Sequence, residues 1–324
     1  MLKDRLVAAA TITLLALVPV LAATASTAQS QEPLALRLVY FYPYAAFEAA
    51  QELGYVAQER LAVTAEVTPS STVQMQGLVS GRWDIGITAF DNLLASRTRE
   101  GEQSVAYGVA ERITLSLMAR PEIARYEDLR GRPLAADAVD TAFALVLRRL
   151  LLAHDLDLAR GDYELVAVGG QPERLQSLLR GDTFASILAS PTDVQAEQEG
   201  LHRLGQHSEV LPDYPGSVFA STATWLSAAS NRDAAIRFLR AWQRGATWVS
   251  NPANRDAAIA LLMRRQSLPE RGAIAAVDAV LPSAAIDPGG LATVRNLRAG
   301  LGLAVPANPI EEYYDLSIYQ LAVR

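Results

Sequence analysis

The chain has 324 residues, 50% hydrophobic and 20% charged, so it is long enough to bury a sizeable core in two domains. It contains no cysteine, which excludes disulfides, thiolate metal ligands and a cysteine nucleophile, and its single lysine, Lys3, excludes a lysine Schiff base further along the chain. The formal net charge of -6 and the absence of basic runs argue against nucleic-acid binding.

The N-terminal segment has the three parts of a secretory signal peptide. Residues 1–5 carry charge, residues 6–20 are apolar, and residues 22–29 are mostly small. We therefore predict a signal peptide over residues 1–28, and cleavage after Ala25 or after Ala28 fits the small-residue pattern. The alternative is an uncleaved membrane anchor, because uncharged residues run from 6 to 31, but Pro19 and the small-residue tail favour cleavage.

Strands and helices alternate in two copies of similar length. In both copies a glycine ends the second helix before a short apolar strand, which is typical of a strand covered on both faces. The pattern predicts two similar α/β lobes, each a mostly parallel sheet flanked by helices. The first copy comprises strand 36–40, helix 44–53, strand 61–67, helix 73–80 and strand 83–88; the second comprises strand 134–137, helix 141–154, strand 163–168, a helix ending at Gly181 and a strand through Ile187.

Two extended stretches, around residues 109–118 and 216–222, are the candidate crossings between the lobes. We predict that lobe 1 consists of residues 33–112 plus 219–324 and that lobe 2 consists of residues 113–218. Helical segments over 232–250, 254–265 and 273–280 would then return to lobe 1. Ligands bind beyond the carboxyl ends of parallel strands, so we expect one cleft between the lobes, with the crossings as its hinge.

Side chains that follow the strands of lobe 1 are candidate ligand contacts. The aromatic run after the first strand offers rings that stack on a planar ligand, although alternation turns two of its four members away. The helix that begins near Ser71 presents backbone N–H groups to the cleft. Asp91 has the alternative role of capping a helix over residues 92–99. The predicted contacts in lobe 1 are Tyr40, Tyr42, Tyr44, Ser70, Ser71, Thr72, Thr88, Phe90, Asp91 and Asn92.

The equivalent strand ends of lobe 2 supply the opposite wall of the predicted cleft. The paired glycines permit close backbone approach to a ligand. The predicted contacts in lobe 2 are Asp137, Asp140, Thr141, Phe143, Gly169, Gly170, Ser190 and Thr192.

The charges of these loops bear on the class of ligand. No arginine lies in any of them, and the nearest are Arg97 and Arg174, so we expect a neutral or amine-bearing, partly aromatic ligand. The three histidines are scattered, which argues against a metal site, and no catalytic or nucleotide-binding motif occurs. We expect neither a cofactor nor catalytic residues.

The order and spacing of several short motifs resemble the periplasmic substrate-binding proteins of ABC importers, in the branch that binds thiamine-precursor pyrimidines, alkanesulfonates, taurine and nitrate. The resemblance covers residues 35 to 318 and departs from the family pattern at Phe184, where an acidic residue is usual. The motifs are Gly54-Tyr55, Leu78-x-x-Gly81-x-x-Asp84-Ile-Gly-Ile87, Glu127-Asp128-Leu129-x-Gly131, Val166-x-Val168-Gly-Gly170, Leu178-Leu-x-Gly181 with Pro191, and Tyr313-Tyr314-Asp315-x-Ser317.

The resemblance implies a type II periplasmic binding fold. A monomeric protein of this kind closes its lobes over a small molecule in the periplasm and delivers that molecule to the permease of an ABC importer, without chemistry. Two alternatives stay open: a periplasmic sensor module that presents its ligand to a receptor, and an enzyme on the same scaffold. A pyrimidine synthase is disfavoured, because the related enzymes need a lysine for pyridoxal phosphate.

Overall fold

A computed structural model describes residues 32–111 and 113–324 of the chain. The predicted signal peptide over residues 1–28 lies outside the described residues. Across the described residues, no helix has both the length and the apolar character that crossing a membrane requires.

The first sheet has five strands in the order β2-β1-β3-β10-β4, with β10 alone running against the others. Its third strand is fully buried and apolar up to its last residue, Thr88, as expected for a strand with helices on both faces. The strands are β1 (Leu34–Tyr40), β2 (Leu61–Val67), β3 (Ile85–Thr88), β4 (Ser104–Val109) and β10 (Val218–Thr222).

The second sheet repeats this arrangement in the order β7-β6-β8-β5-β9, with β5 alone reversed. The predicted fold of two lobes, each with a mostly parallel sheet, is therefore confirmed. The strands are β5 (Leu115–Ala119), β6 (Pro133–Ala136), β7 (Glu164–Ala167), β8 (Ala185–Ala189) and β9 (His202–Gln206).

Helices cover both faces of the sheets. Those that follow strands in the first half of the chain are α1 (Ala45–Glu52), α2 (Tyr55–Gln58), α3 (Ser71–Val79), α4 (Phe90–Glu100), α5 (Ala142–Leu152), α6 (Gln171–Arg180) and α7 (Thr192–Gln198). The C-terminal helices are α8 (Ala223–Ser227), α9 (Ala229–Ser250), α10 (Arg255–Gln266), α11 (Glu270–Asp278), α12 (Pro288–Gly300) and α13 (Leu316–Ala322). Short 3-10 turns span Tyr126–Leu129, Leu158–Arg160, His207–Glu209, Pro252–Asn254 and Ile310–Tyr313.

The chain passes between the sheets twice, from β4 to β5 and from β9 to β10. The two passing segments are paired, because Ala110 N donates a hydrogen bond to Ser217 O (2.7 Å). The predicted lobe boundary at 112/113 falls between β4 and β5, and the one at 218/219 falls one residue inside β10. The exact division stays a prediction.

The C-terminal helices pack mainly on the first sheet. Helix α9 lies against α1 so closely that a Cβ at Gly245 would be 2.1 Å from Ala46 O. Helix α13 contacts α9 and β4, whereas α12 contacts both α4 and α5 and so touches both lobes. The largest apolar cluster likewise joins side chains of both lobes, among them Val39 and Leu134. The lobes are therefore packed together in this structure.

Candidate ligand-binding site

A small cavity between the lobes lies beyond the carboxyl ends of β1, β3 and β6. Its walls come from both lobes and from the second passing segment, and its volume is ≈ 20 Å³. That is room for about one water molecule. We call it the interlobe cavity; it is lined by Phe41, Tyr42, Ala89, Asn92, Asp137, Ala142, Phe143, Arg174 and Ser217. Four of the predicted contacts are among them: Tyr42, Asn92, Asp137 and Phe143.

Hydrogen bonds join the lobes around this cavity. Ser71 Oγ donates to Asp137 Oδ2 (2.6 Å) and lies 3.2 Å from Thr141 Oγ1. Arg99 Nη2 donates to Asp140 Oδ1 (3.1 Å) on the exposed side. Several residues predicted as ligand contacts therefore hold the lobes together in this closed arrangement.

Asp91 caps a helix, but not the one that follows it. Its own helix α4 begins at Phe90, with Ala89 as N-cap and no side-chain cap. Its carboxylate instead accepts from Ala142 N (2.9 Å) at the start of α5 in the other lobe. The alternative in which Asp91 caps a helix over residues 92–99 is therefore wrong, because the helix starts two residues earlier and places Asp91 in its first turn.

Arg298 is a buried partner of Asp91 that sequence reasoning missed. Its Nη1 donates to Asp91 Oδ2 and to Asp140 O, both at 3.0 Å, and the side chains of Arg298 and Asp91 are at most 4% exposed. Desolvation raises the pKa of Asp91, and the guanidinium of Arg298 limits the rise. No local signal pointed to Arg298, because it lies on α12, far along the chain from Asp91.

Arg174 is a second charged residue that the sequence did not place at the site. It is 2% exposed and lines the interlobe cavity, so an arginine reaches the site from a helix although none lies in the strand-end loops themselves. The physical reason is that Arg174 lies in the first turn of α6, where side chains lean toward the helix N-terminus and hence toward the strand ends. Burial lowers the pKa of its guanidinium.

The aromatic residues at and after the end of β1 divide between the cavity and the core. Phe41 and Tyr42 line the cavity, whereas Tyr40 and Tyr44 are 6% and 3% exposed within the apolar core of the first lobe. The ring of Tyr44 supports that of Tyr42, with centroids 4.9 Å apart. The chain bends at Phe41 and Tyr42, so these two adjacent rings face the same cavity instead of alternating.

Tyr42 also borders a second, outer cavity of ≈ 400 Å³. Its hydroxyl donates a hydrogen bond to Glu111, which lies on the first passing segment. Burial raises the pKa of the Glu111 carboxyl to about 8, although the hydrogen bond from Tyr42 opposes the rise. Ser190 lines this outer cavity and donates a hydrogen bond to Asp193.

The remaining predicted contacts have structural surroundings. Ser70 caps α3 through Val73 N, Thr72 accepts from Arg99, and Thr88 accepts from Asn92 Nδ2. Phe90 is in the shared apolar core, and Thr192 begins α7 and lines neither cavity. Gly169 has a left-handed φ of 110°, which favours glycine. A Cβ at Gly170 would lie 3.3 Å from Pro69 O, so the missing side chain there allows the first lobe to approach.

The pattern of one sequence family matches residues 43–254, and that family is described as NMT1/THI5 like. The chain belongs to the NMT1/THI5-like family. The match covers most of the chain, and it confirms the resemblance drawn from the short motifs. No curated protein matches the sequence.

Solved structures share the two-lobe fold of this NMT1/THI5-like chain at low identity. The periplasmic nitrate-binding protein NrtA from Synechocystis PCC 6803 superposes with a TM-score of 0.77 at 12% identity, over 90% of this chain and 89% of its own. The ligand-binding component of an ABC-type import system from Staphylococcus aureus, with zinc bound, superposes with a TM-score of 0.75 at 14% identity, over 89% of this chain and 99% of its own. The alkanesulfonate-binding protein SsuA from Xanthomonas axonopodis pv. citri, bound to MOPS, superposes with a TM-score of 0.71 at 16% identity, over 88% of this chain and 99% of its own.

The interlobe cavity of this NMT1/THI5-like protein holds buried polar atoms with spare bonding capacity. Asn92 Oδ1, Asp137 Oδ1 and Arg174 Nε have no hydrogen-bond partner among the described residues. Such atoms are costly to bury unless something bonds them. The arrangement is suited to holding a small polar molecule. Within residues 32–111 and 113–324, no three His, Cys, Asp or Glu side chains form a group that could hold a metal ion.

Proposed function

We propose that this protein is a periplasmic solute-binding protein, which captures a small organic ligand between its lobes and delivers it to the permease of an ABC importer. Membership of the NMT1/THI5-like family supports this function. So does the fold shared with a nitrate-binding protein, an alkanesulfonate-binding protein and a ligand-binding component of an import system.

The observation that carries the proposal is the composition of the interlobe cavity. Asn92 belongs to the first lobe and Asp137 and Arg174 to the second, and each has a buried polar atom without a partner among the described residues. A ligand that bonds atoms of both lobes binds the closed arrangement better than an open one, so it shifts the population toward closure. We propose that the permease recognises this closed arrangement.

Capture without conversion is part of the same proposal. The cavity offers no lysine for a Schiff base and no cysteine nucleophile, because the sequence after Lys3 has neither residue. We propose that the ligand leaves unchanged and that no cofactor takes part. Incubation of a retained ligand with the protein, followed by mass spectrometry of the small molecule, tests this; a product of altered mass would contradict it.

The first experiment is native mass spectrometry of freshly purified protein, combined with small-angle X-ray scattering before and after removal of any bound molecule. We expect a retained small molecule and a larger radius of gyration once it is removed. Absence of any retained molecule, together with a radius of gyration that no small molecule changes, would contradict the proposed function.

Export is part of the proposal. We expect the mature protein to be recovered from the periplasmic fraction as a monomer. Its N-terminus, read by intact mass, would be Ser26 or Gln29, which correspond to cleavage after Ala25 or Ala28. Recovery of the full-length chain in the membrane fraction would instead favour the uncleaved anchor.

A further inference from the structure

The outer cavity that borders Tyr42 has walls from both lobes and from the first passing segment. The first lobe contributes Tyr42 and part of α11, and the second lobe contributes the end of β8, the first turn of α7 and part of β9. Glu111, on the first passing segment, lies between these walls. Separation of the lobes therefore widens the outer cavity and changes the surroundings of Glu111.

Helices α7 and α11, which both contribute to the wall of the outer cavity, touch across the lobes. Arg271 Nη2 on α11 donates a hydrogen bond to Glu197 Oε2 on α7 at 3.0 Å, and a Cβ at Gly272 would lie 3.7 Å from Pro191 Cβ. The side chain of Arg271 is 64% exposed, so this ion pair contributes little to closure. Opening of the lobes separates the two helices and admits water to the outer cavity.

The carboxyl of Glu111 is held by hydroxyl groups rather than by a cation in the described structure. Tyr42 donates to it from the first lobe, and Ser217 donates from the second passing segment. A Cβ at Gly216 would lie 1.7 Å from Glu111 O, so the two passing segments are in contact at this point. Glu111 is 8% exposed, and a buried carboxyl without a cation favours its neutral form.

The other charged side chains of the outer cavity have partners of their own. Asp193 accepts from Ser116 Oγ at 2.9 Å, and its carboxylate lies 3.6 Å from the guanidinium of Arg203. Asp278 pairs with Arg255 at 2.7 Å. These charges are therefore compensated locally in the closed arrangement, whereas the carboxyl of Glu111 has hydroxyl partners.

The remaining titratable side chains around Glu111 stay neutral near neutral pH. Burial raises the pKa of Tyr42, Tyr44 and Tyr214, so these phenols keep their protons. Burial lowers the pKa of His207, which lies with Glu111 around an adjoining cavity, so its imidazole stays uncharged. Burial raises the pKa of the Glu111 carboxyl to about 8, so this group changes charge while the phenols and the imidazole do not.

Resting on the solute-binding role proposed above, we propose that closure of the lobes takes up one proton at Glu111, so that the protein closes more readily at low pH than at high pH. In the closed arrangement, burial keeps the carboxyl neutral. In the open arrangement, water reaches the carboxyl and it ionises as an ordinary glutamate does. The hinge side of the site thus senses pH, while the ligand contacts lie in the interlobe cavity.

The direction of the effect follows from the two protonation equilibria. The pKa of the Glu111 carboxyl is about 8 when buried, against an ordinary value of 4.5, so the closed form binds more protons than the open form between these values. The ratio of closed to open protein should therefore fall as pH rises through this window, by up to about tenfold per pH unit. A ligand that binds the closed form should lose affinity in the same direction.

Small-angle X-ray scattering of the ligand-free protein between about pH 6 and about pH 9 measures this linkage. We expect the radius of gyration of the wild type to increase with pH. In Glu111→Gln it should stay near the closed value, because glutamine resembles the neutral acid and does not ionise. Glu164→Gln is the matched control and should follow the wild type, because Glu164 lies at an exposed position of β7.

A second variant and a second measurement separate titration of Glu111 from loss of packing. Tyr42→Phe removes a hydrogen bond that opposes the rise in the pKa of Glu111, so the opening should move to higher pH. Carbon-13 NMR of protein labelled at the glutamate carboxyls should show one resonance that titrates well above the ordinary value of 4.5. That resonance should be missing from the spectrum of Glu111→Gln.

The outcomes distinguish this proton linkage from the function on which it rests. A radius of gyration that does not change with pH, or that changes equally in the wild type and in Glu111→Gln, would overturn the linkage. So would the absence of a glutamate carboxyl that titrates above the ordinary range. If removal of a retained molecule still enlarges the protein, solute binding stands without the linkage. If neither ligand removal nor pH changes the radius of gyration, both proposals fail.

Discussion

At the scale of single residues, the closed arrangement depends on a few buried charges. Asp91 and Arg298 form an ion pair that is almost fully buried, and both also bond backbone atoms of the second lobe. Removal of one partner of such a pair leaves the other charge buried and uncompensated. The exposed pairs of the surface, such as Arg255 with Asp278, carry no such penalty.

We therefore expect Asp91→Asn to lower the free energy of unfolding by about 3–5 kcal/mol, because Arg298 loses its counter-charge. Asp278→Asn, at the exposed pair, should cost less than about 1 kcal/mol. Urea unfolding followed by circular dichroism measures both. An equal fall in the free energy of unfolding in both variants would show that burial of the ion pair has no effect on stability.

The raised pKa of Glu111 makes the stability of the folded protein depend on pH. Burial raises the pKa of its carboxyl in the folded state to about 8, against an ordinary value of 4.5, so the folded state binds more protons than the unfolded state between these values. Stability should therefore fall as pH rises through this window, by up to about 1.4 kcal/mol per pH unit. Glu111→Gln removes this dependence, because glutamine does not titrate.

The measurement is urea unfolding of the wild type and of Glu111→Gln at about pH 5 and about pH 8. We expect the wild type to lose more stability than the variant between the two pH values. Glu164→Gln is the control, since that side chain lies at an exposed position of β7. Parallel changes in the wild type and in Glu111→Gln would contradict the raised pKa.

At the scale of elements, close helix packing fixes the C-terminal half against the first lobe. Gly245 lies within α9 where that helix meets α1, and added atoms there would strike the backbone of α1. Gly300 lies at the end of α12, and a Cβ added there would meet no atom within 4 Å. Gly245 is thus tightly packed against a neighbouring helix, whereas Gly300 has open space beside it.

Gly245→Ala should destabilise the protein by about 1–3 kcal/mol, because the new methyl group forces α9 away from α1. Gly300→Ala should be neutral or stabilising by up to about 1 kcal/mol, because alanine favours the helix. Thermal unfolding of both variants checks the prediction. If Gly300→Ala lost as much stability as Gly245→Ala, close packing against α1 would not explain the effect.

The sequence was a good guide to elements and a poorer guide to side chains from distant parts of the chain. Glycine stops and apolar runs located the strands of both copies, since those signals are local. The strand β9 and the helix α12 had no predicted counterpart, and Arg298 was missed with α12. Arg174 was known to be near the site, but its direction depends on the turn of α6 in which it lies.

At the scale of the whole molecule, cross-lobe hydrogen bonds bias the lobes toward closure. Ser71 Oγ, on the first lobe, donates to the carboxylate of Asp137 on the second at 2.6 Å. A hydrogen bond to a charged group contributes roughly 1.5–3 kcal/mol. The same carboxylate faces the interlobe cavity, so lobe closure and ligand contact share one residue.

Ser71→Ala should lower the ratio of closed to open protein about tenfold or more without ligand. Because the chain has no cysteine, Gln76→Cys with Gln176→Cys gives two unique labelling sites on exposed positions of α3 and α6. Pulsed electron paramagnetic resonance of spin labels on these two cysteines then measures the distance between the lobes. Ser80→Ala, on an exposed serine after α3, is the control. An unchanged distance distribution in Ser71→Ala would show that this bond does not hold the lobes.

The pairing of the two passing segments has a consequence for how the chain can be divided. Every strand of the first sheet lies before Ala110 or after Ser217, and these two residues are hydrogen-bonded neighbours. The entire second sheet is thus carried on a long insertion between adjoining points. A short turn from Ala110 to Ser217 would excise it and keep all five strands of the first sheet, whereas no single cut of the chain separates two complete sheets.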